Sequence, residues 1–133
     1  MTHHRRIVQT DSAPAAIGPY SQGVIAAGLL FCAGQIPLDP VSGELVEGGA
    51  GEQARRCLEN LAAVCAAGGA ALRDDAVRLT VYLTDLTGDW EAANDAYAEF
   101  FAGADPPARA AVEVRVLPKG ARVEIDAVVA LPD

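Results

Sequence analysis

Hydrophobic residues along the chain recur with two different periods, and the changes of period mark the predicted elements. Alternation with a period of two, or a short apolar run bounded by turn formers, is typical of a β-strand. Such segments lie at positions 7–8, 24–26, 29–32, 77–83, 112–116 and 123–127. The sequence therefore predicts a sheet of five or six short strands.

The segments at 24–26 and 29–32 are separated only by Ala27 and Gly28. A two-residue connection joins antiparallel neighbours when its residues can adopt a positive φ, which glycine does at little cost. A tight hairpin is predicted at this point of the chain.

Two further segments have the spacing of an amphipathic helix, in which residues three and four positions apart share a face. The first begins near Glu52 and ends at Gly68, and the second follows Asp89, which is its predicted N-cap. The apolar stripe of the second segment comprises Trp90, Ala93, Tyr97, Phe100 and Phe101.

Together these elements predict one α+β domain over positions 1–133, a mixed sheet with two helices packed on one face. The helices leave the other face uncovered. On the last two strands that face is predicted to mix charged, small and apolar residues, namely Arg109, Ala111, Glu113, Arg115, Glu124, Asp126 and Val128. We expect a face of this composition at an interface between subunits, so the sequence predicts an oligomer.

Charge excludes some classes of partner. The chain has 18 acidic and 10 basic residues and a net charge of −8. The one local basic cluster, Arg5 and Arg6, is too small to supply the phosphate contacts that dominate nucleic-acid binding. No nucleic-acid partner is predicted.

Hydropathy and cysteine content indicate the compartment. No apolar stretch approaches the roughly 20 residues that span a bilayer, and no signal-type stretch follows the first residues. No membrane association is predicted, and a cytoplasmic location is expected. The cysteines Cys32, Cys57 and Cys65 are predicted to be packed thiols, since the last two lie about 12 Å apart on one helix, too far for a disulfide.

The strongest candidate for chemistry is a pair of charged residues on the last two strands. If those strands pair, Arg109 and Glu124 can emerge on the same face of the sheet. An arginine can bind a carboxylate through two parallel hydrogen bonds, and a neighbouring carboxylate can orient or deprotonate water. The pair is suited to hydrolysis of a small carboxylate, although an ordinary cross-strand ion pair would give the same pattern.

Other residues are weaker candidates for a binding site. Tyr20 follows a stiff Gly-Pro segment and could donate to a ligand, or simply pack with its hydroxyl in water. Gly34 and Gln35 end a strand, where backbone amides can be approached closely, but a strand-end glycine has the same pattern. Asn94 interrupts an apolar helical stretch and could bind a ligand or lie on the surface.

Several kinds of site are not predicted. His3 and His4 have no third ligand at a suitable spacing, so no metal site is expected. The glycine-rich stretch at 48–51 lacks the Lys-Ser/Thr ending of a phosphate loop. No serine lies in a nucleophile elbow.

Blocks along nearly the whole chain resemble the RidA/YjgF family. They lie at 17–22 (IGPYSQ), 34–37 (GQIP), 57–61 (CLENL), 81–85 (VYLTD) and 94–97 (NDAY). The most specific block is PARAAVEV at 107–114, followed by LP at 117–118 and VEI at 123–125. The chain is identified on these blocks as a member of that family.

The resemblance implies a chorismate-mutase-like α+β fold and a homotrimer with ligand clefts between neighbouring subunits. It implies cofactor-independent hydrolysis of 2-imino acids and enamines, such as 2-iminopropanoate and 2-iminobutanoate, which removes reactive metabolites. Arg109 matches the carboxylate-binding arginine and Glu124 the water-positioning glutamate, whereas Tyr20, Gly34 and Asn94 match positions around the ligand.

One position departs from the family pattern. Many close members have cysteine two residues after the arginine, where this chain has Ala111. A step that depends on a thiol at this position is therefore excluded, although a contact through the main chain remains open to Ala111. The alternative is a non-catalytic, small-carboxylate-binding or chaperone-like protein of the same family. A ribonuclease activity is a third reading, against which the acidic charge counts.

Overall fold

The computed structural model describes residues 4–133. The strands within those residues pair into one mixed sheet. Within those residues the strands are β1 (Arg6–Val8), β2 (Gly23–Ala26), β3 (Leu29–Gln35), β4 (Ala76–Leu83), β5 (Ala108–Glu113) and β6 (Val123–Ala130). The helices there are α1 (Ala50–Ala67), α2 (Leu72–Asp75) and α3 (Leu86–Phe100), with a 3₁₀ helix at Pro118–Gly120. The strand order is β1-β2-β3-β6-β4-β5, and only the β4–β5 pair is parallel among these strands.

The predicted hairpin is confirmed. Strands β2 and β3 pair antiparallel around Ala27 and Gly28, whose φ angles are 54° and 75°. Two consecutive positive φ angles match the right-handed twist of the flanking strands. The pattern predicted this turn correctly because its geometry depends only on neighbouring residues.

The two long helices lie on one face of the sheet, as predicted. Helix α1 packs against α3, β3 and β6, so its apolar stripe closes the core. The largest fully buried side chains include Leu30, Leu58, Leu61, Leu79, Leu83 and Ile125. A sheet face covered in this way holds the strands that carry the candidate site in fixed register.

Two helix predictions need correction. Asp89 is not the N-cap of α3, because the cap is Asp85, whose side chain accepts a hydrogen bond from the Gly88 amide at 3.0 Å. Asp89 lies one turn inside α3, where it is buried and pairs with Arg122. The short helix α2 was not predicted, because four residues are too few to display a helical period.

The three cysteines are free thiols and are buried, as predicted. Cys32 Sγ lies 3.9 Å from Cys65 Sγ, and Cys57 Sγ lies 3.6 Å from the Val123 carbonyl oxygen. Burial raises the pKa of the Cys57 thiol. Their side chains contribute apolar packing to the core.

The assignment of the two faces of β5 was wrong. Strands β5 and β6 are not neighbours, since β4 lies between them. Arg109 is paired with Leu79 and Ala111 with Val81, both core residues, so Arg109, Ala111 and Glu113 point to the helix side. Neither Arg115 nor the valines at 114 and 116 belong to β5, which ends at Glu113.

The open face of the sheet, opposite the helices, is partly apolar. Ile7, Phe31 and Val112 point to this side, and they are 55%, 46% and 41% exposed. Glu124 and Asp126 also lie on this face, next to Tyr82 and Thr80 of β4. None of the helices within residues 4–133 combines the length and apolar character needed to cross a membrane.

Candidate functional site

Arg109 lies on the edge strand β5, and its guanidinium contacts three side chains of α3. The guanidinium carbon lies 4.8 Å from the ring centre of Trp90 and 4.7 Å from that of Tyr97. Its Nη1 donates to Asn94 Oδ1 at 2.8 Å. We call Arg109, Trp90, Asn94 and Tyr97 the Arg109 cradle.

Helical geometry explains why three residues of α3 meet one arginine. Trp90, Asn94 and Tyr97 are spaced four and three positions apart, which places them on one face of the helix. Ring stacking and one hydrogen bond restrict the guanidinium while leaving it exposed. Of its five N–H donors, those not directed at Asn94 can bind a carboxylate in a bidentate fashion.

A second group of candidate residues surrounds a cavity of about 310 Å³ on the open face. This Glu124 cavity is lined by Ile17, Tyr20, Ala33, Gly34, Pro118 and Glu124. A Cβ atom at Gly34 would lie 2.5 Å from Glu124 Oε2. The glycine therefore lets the carboxylate lie directly against the backbone of β3.

The loop that carries Tyr20 is held by a buried glutamine. Gln22 donates from Nε2 to the Pro14 carbonyl at 2.8 Å and accepts at Oε1 from the Thr10 amide at 2.7 Å. Tyr20 accepts a hydrogen bond from the Ile17 amide at 3.2 Å. A hydroxyl that accepts through a lone pair keeps its own proton to donate to a ligand.

The electrostatics of the open face favour protonation of Glu124. Burial raises the pKa of this carboxyl, and the nearby charge of Asp126 raises it further. Asp126 accepts a hydrogen bond from the Tyr82 hydroxyl at 3.0 Å, which fixes that second carboxylate. A carboxylate whose pKa lies above its ordinary value is a stronger base toward water.

The start of β6 is anchored two residues before Glu124. The Arg122 guanidinium donates to the Asp89 carboxylate at 3.1 and 2.5 Å, and the Arg122 amide donates to Gln53 Oε1 at 2.8 Å. Asp89 is a buried residue of α3 and Gln53 belongs to α1. These hydrogen bonds therefore connect β6 to both long helices. This anchoring fixes the backbone from which Glu124 projects.

The structure does not bring Arg109 and Glu124 together within one chain. Arg109 faces the helices and Glu124 faces the open side, on strands separated by β4. The two residues therefore form neither the predicted shared face nor a cross-strand ion pair. The Arg109 cradle and the Glu124 cavity lie on opposite faces of the sheet.

Four of the five remaining candidates lie in or beside one of the two groups, and Gln35 lies in neither. Asn94 belongs to the Arg109 cradle as a partner of the arginine, and Ala111 lies two residues along β5 on the same side. Gly34 and Tyr20 belong to the Glu124 cavity. The Gln35 side chain is buried and its residue pairs with Ile125, so it faces the core.

Sequence reasoning missed the roles of Trp90 and Tyr97, which it assigned to the core stripe of the second helix. Their spacing places Trp90, Asn94 and Tyr97 on one face of α3. The sequence of the helix does not indicate that Arg109 lies against that face. Gln22 and Asp126 were also missed as positioning residues.

No three histidine, cysteine, aspartate or glutamate side chains among residues 4–133 are grouped so as to hold a metal ion. Of the two N-terminal histidines, His4 is exposed, and His3 lies outside the described residues.

Comparison with known proteins places this architecture in a family. The family model described as Endoribonuclease L-PSP matches residues 10–131. Protein DfrA of Myxococcus xanthus is 52% identical over 126 residues, covering 93% of this chain and 94% of the relative. A 2-iminobutanoate/2-iminopropanoate deaminase of Capra hircus is 46% identical over 124 residues, covering 93% of this chain and 88% of the relative.

Among solved structures, E. coli TdcF with bound serine superposes with a TM-score of 0.89 at 40% identity, covering 96% of this chain and 99% of that one. The sequence match extends through both the Arg109 cradle and the Glu124 cavity, since residues 10–131 include every member of each group. The chain belongs to the RidA/YjgF family, whose model bears the description Endoribonuclease L-PSP.

Proposed function

We propose that the protein hydrolyses 2-imino acids, such as 2-iminopropanoate and 2-iminobutanoate, to 2-oxo acids and ammonia without a cofactor. The observation that carries this proposal is the Arg109 cradle, an exposed guanidinium oriented by two rings and one amide oxygen. A planar fork held in this way suits a carboxylate, the group that all 2-imino acids share. The name of the Capra hircus relative supports the reaction class.

In the proposed reaction Arg109 binds the substrate carboxylate and Glu124 activates water. Glu124 accepts a proton as the water oxygen attacks the carbon of the protonated imine, which gives a neutral carbinolamine. The same carboxyl then returns the proton to nitrogen. The C–N bond breaks, ammonia leaves, and the hydroxyl becomes the carbonyl of the 2-oxo acid while its proton passes to ammonia. The Tyr20 hydroxyl orients the substrate at the cavity wall.

A protonated imine is already a strong electrophile, so the protein mainly has to position reactants and move protons. Holding both reactants in one geometry removes translational and rotational entropy from the barrier. General acid–base catalysis by a positioned carboxyl contributes typically about 10²- to 10⁴-fold. Neither effect requires a covalent intermediate.

The two residue groups lie on opposite faces of one sheet, so the proposed site requires two subunits. We propose a homotrimer in which the β5 edge of one subunit brings Arg109 to the Glu124 cavity of the next. A closed ring repeats this contact at each junction, and it covers the apolar residues of the open face, Ile7, Phe31 and Val112. The exposure of these three side chains in the single chain supports such a contact.

Light scattering should return about three times the chain mass of 13.7 kDa. The physical reason is the partly apolar open face, which a free subunit would expose to water. A mass of one chain at micromolar concentration would contradict both the assembly and the intersubunit site.

Gly34→Ala should lower kcat/KM about tenfold or more, which corresponds to roughly 1.4 kcal/mol of transition-state stabilisation. The new methyl group would displace the Glu124 carboxylate, whose Oε2 lies where the Cβ must go. The fold should persist, because the displaced atoms are the end of a flexible side chain. The measurement pairs imine hydrolysis with thermal unfolding.

A matched control is Gly51→Ala in α1, where the added Cβ meets no atom closer than 3.4 Å. This variant should retain full activity. Full activity of Gly34→Ala would remove the close approach of Gly34 and Glu124 from the mechanism.

The direct test of function uses imines generated in situ by an amino-acid oxidase, in the presence of semicarbazide. The trap and the protein compete for the imine, so catalysis lowers the yield of semicarbazone and raises the rate of ammonia release. A semicarbazone yield equal to that without protein would contradict the proposed activity and leave a carboxylate-binding protein without turnover.

The description of the family model raises cleavage of RNA as a second candidate. A net charge of −8 gives the chain little attraction for a polyanion. We therefore favour imine hydrolysis, and RNA cleavage measured in the presence of a chelator would revive the alternative.

A further inference from the structure

A recess of about 380 Å³ lies beside the Arg109 cradle, between the start of α3 and β5. Its walls are formed by Leu86, Thr87, Trp90 and Ala111. Small-molecule sites range from roughly 300 to 1,000 Å³ and are lined mainly by apolar side chains. The recess is shallow and open to solvent, and its mainly apolar lining can contact part of a small ligand.

Trp90 connects this recess to the arginine. One part of its ring system stacks on the Arg109 guanidinium, and the same residue forms a wall of the recess. Ala111 lies two positions after Arg109 on the same side of β5, about 7 Å along the strand. A ligand whose carboxylate is bound by Arg109 therefore has its next atoms within reach of the recess.

The side chain at position 111 determines the volume of the recess. Ala111 has a single methyl group, and this partly buried residue forms one wall of the recess beside Leu86 and Trp90. A larger side chain here would project between Trp90 and Leu86 and fill the space. The open volume next to the carboxylate-binding group thus depends on this alanine.

We propose that the recess binds the side chain of the imino acid, and that the protein prefers 2-imino acids with large apolar side chains over 2-iminopropanoate. This inference rests on the proposed imine hydrolysis and assigns the substrate class to that site. Burial of one methylene group contributes roughly fourfold to binding, so several added carbons give a preference of tenfold or more in kcat/KM. The substrates would be the imines of leucine-like or methionine-like amino acids.

The test compares 2-iminopropanoate with 2-imino-4-methylpentanoate, each produced in situ from alanine or leucine. The native protein should favour the larger imine. Ala111→Leu should lower the ratio of kcat/KM for the larger imine to kcat/KM for 2-iminopropanoate at least about tenfold. Thr87→Leu, at an exposed position of the opposite wall, should shift the ratio in the same direction and guards against misfolding of the first variant.

Ala98→Leu is the matched control. Ala98 lines a different depression on the Tyr97 side of the arginine, together with Phe101 and Pro107. If the substrate side chain lies beside Ala111, Ala98→Leu leaves the ratio unchanged. A changed ratio in Ala98→Leu, or an unchanged one in both Ala111→Leu and Thr87→Leu, would overturn the assignment of the recess.

The result separates this inference from the proposed function. Hydrolysis of neither imine by the native protein would contradict the function and, with it, the recess. Hydrolysis of both imines with an equal ratio in the native protein and in the recess variants would contradict the recess alone.

Discussion

Replacing Arg109 by lysine should reduce kcat/KM for 2-imino acids by about tenfold to a thousandfold while the assembly stays folded. Lysine keeps the charge, but its compact ammonium on a flexible stem cannot reproduce the planar two-bond grip on a carboxylate. It also loses the flat stacking between Trp90 and Tyr97, whose ring centres lie 4.8 and 4.7 Å from the guanidinium carbon.

The measurement combines steady-state kinetics with the melting temperature on one preparation. The control is Arg55→Lys on α1, where Arg55 forms an exposed ion pair with Glu99 at 3.6 Å. That substitution should leave both quantities unchanged, because exposed ion pairs contribute little. A folded Arg109→Lys variant with native kinetics would exclude Arg109 from substrate binding.

Glu124→Gln should lower kcat/KM by about 10²- to 10⁴-fold, the usual contribution of a general base. Glutamine keeps the shape of the side chain in the cavity but cannot accept a proton. The corresponding change on the exposed partner of the control pair, Glu99→Gln, should have no effect.

The pH profile gives a signature that a structural role would not produce. Burial and the charge of Asp126 raise the pKa of Glu124, so the native rate should fall as the pH drops through a pKa above the ordinary value of a glutamate. Only the ionised carboxylate can act as the base, so activity is present above that pKa and lost below it. The rate of the Glu124→Gln variant should show no such fall at low pH. An identical fall in the variant would show that another group titrates.

Mixing the two inactive variants tests the intersubunit site directly. In a closed trimer, one junction of each mixed assembly combines a native Arg109 from one subunit with a native Glu124 from its neighbour. Random mixing of equal amounts should therefore restore about one quarter of the native sites. Activity that stays at the level of the separate variants would indicate that both groups must come from the same chain.

The path of β5 illustrates where sequence reasoning failed. The prediction placed Arg109, Ala111 and Glu113 on the uncovered face, which put the alternating valines of 112–116 on the helix side. Alternation separates the two faces of a strand, yet it does not identify which face the helices cover. Val112 is 41% exposed and lies on the open face, whereas Arg109 and Ala111 point toward α3. The apolar face of this edge strand is turned away from the core of its own chain.

A signal for the correct strand order was present. The succession β4, α3, β5 is a strand-helix-strand unit, and such units usually join parallel neighbours. Applying that rule would have paired β5 with β4. The rule leaves open whether β6 lies beside β5 or on the other side of β4, and the fold places it between β3 and β4, which separates Arg109 from Glu124.

Several local features followed from the sequence alone: the hairpin at Ala27 and Gly28, the two long helices apart from the first turn of α3, the buried thiols and the residues of the family motifs. These depend on periodicity, turn geometry and residue type, which act over a few positions. Tertiary structure alone decided that Trp90 and Tyr97 stack on Arg109, and that Glu124 lies on the opposite face. Contacts of that kind depend on which strands pair across long separations, and the free energy that selects the pairing is summed over the whole core rather than encoded in any one segment.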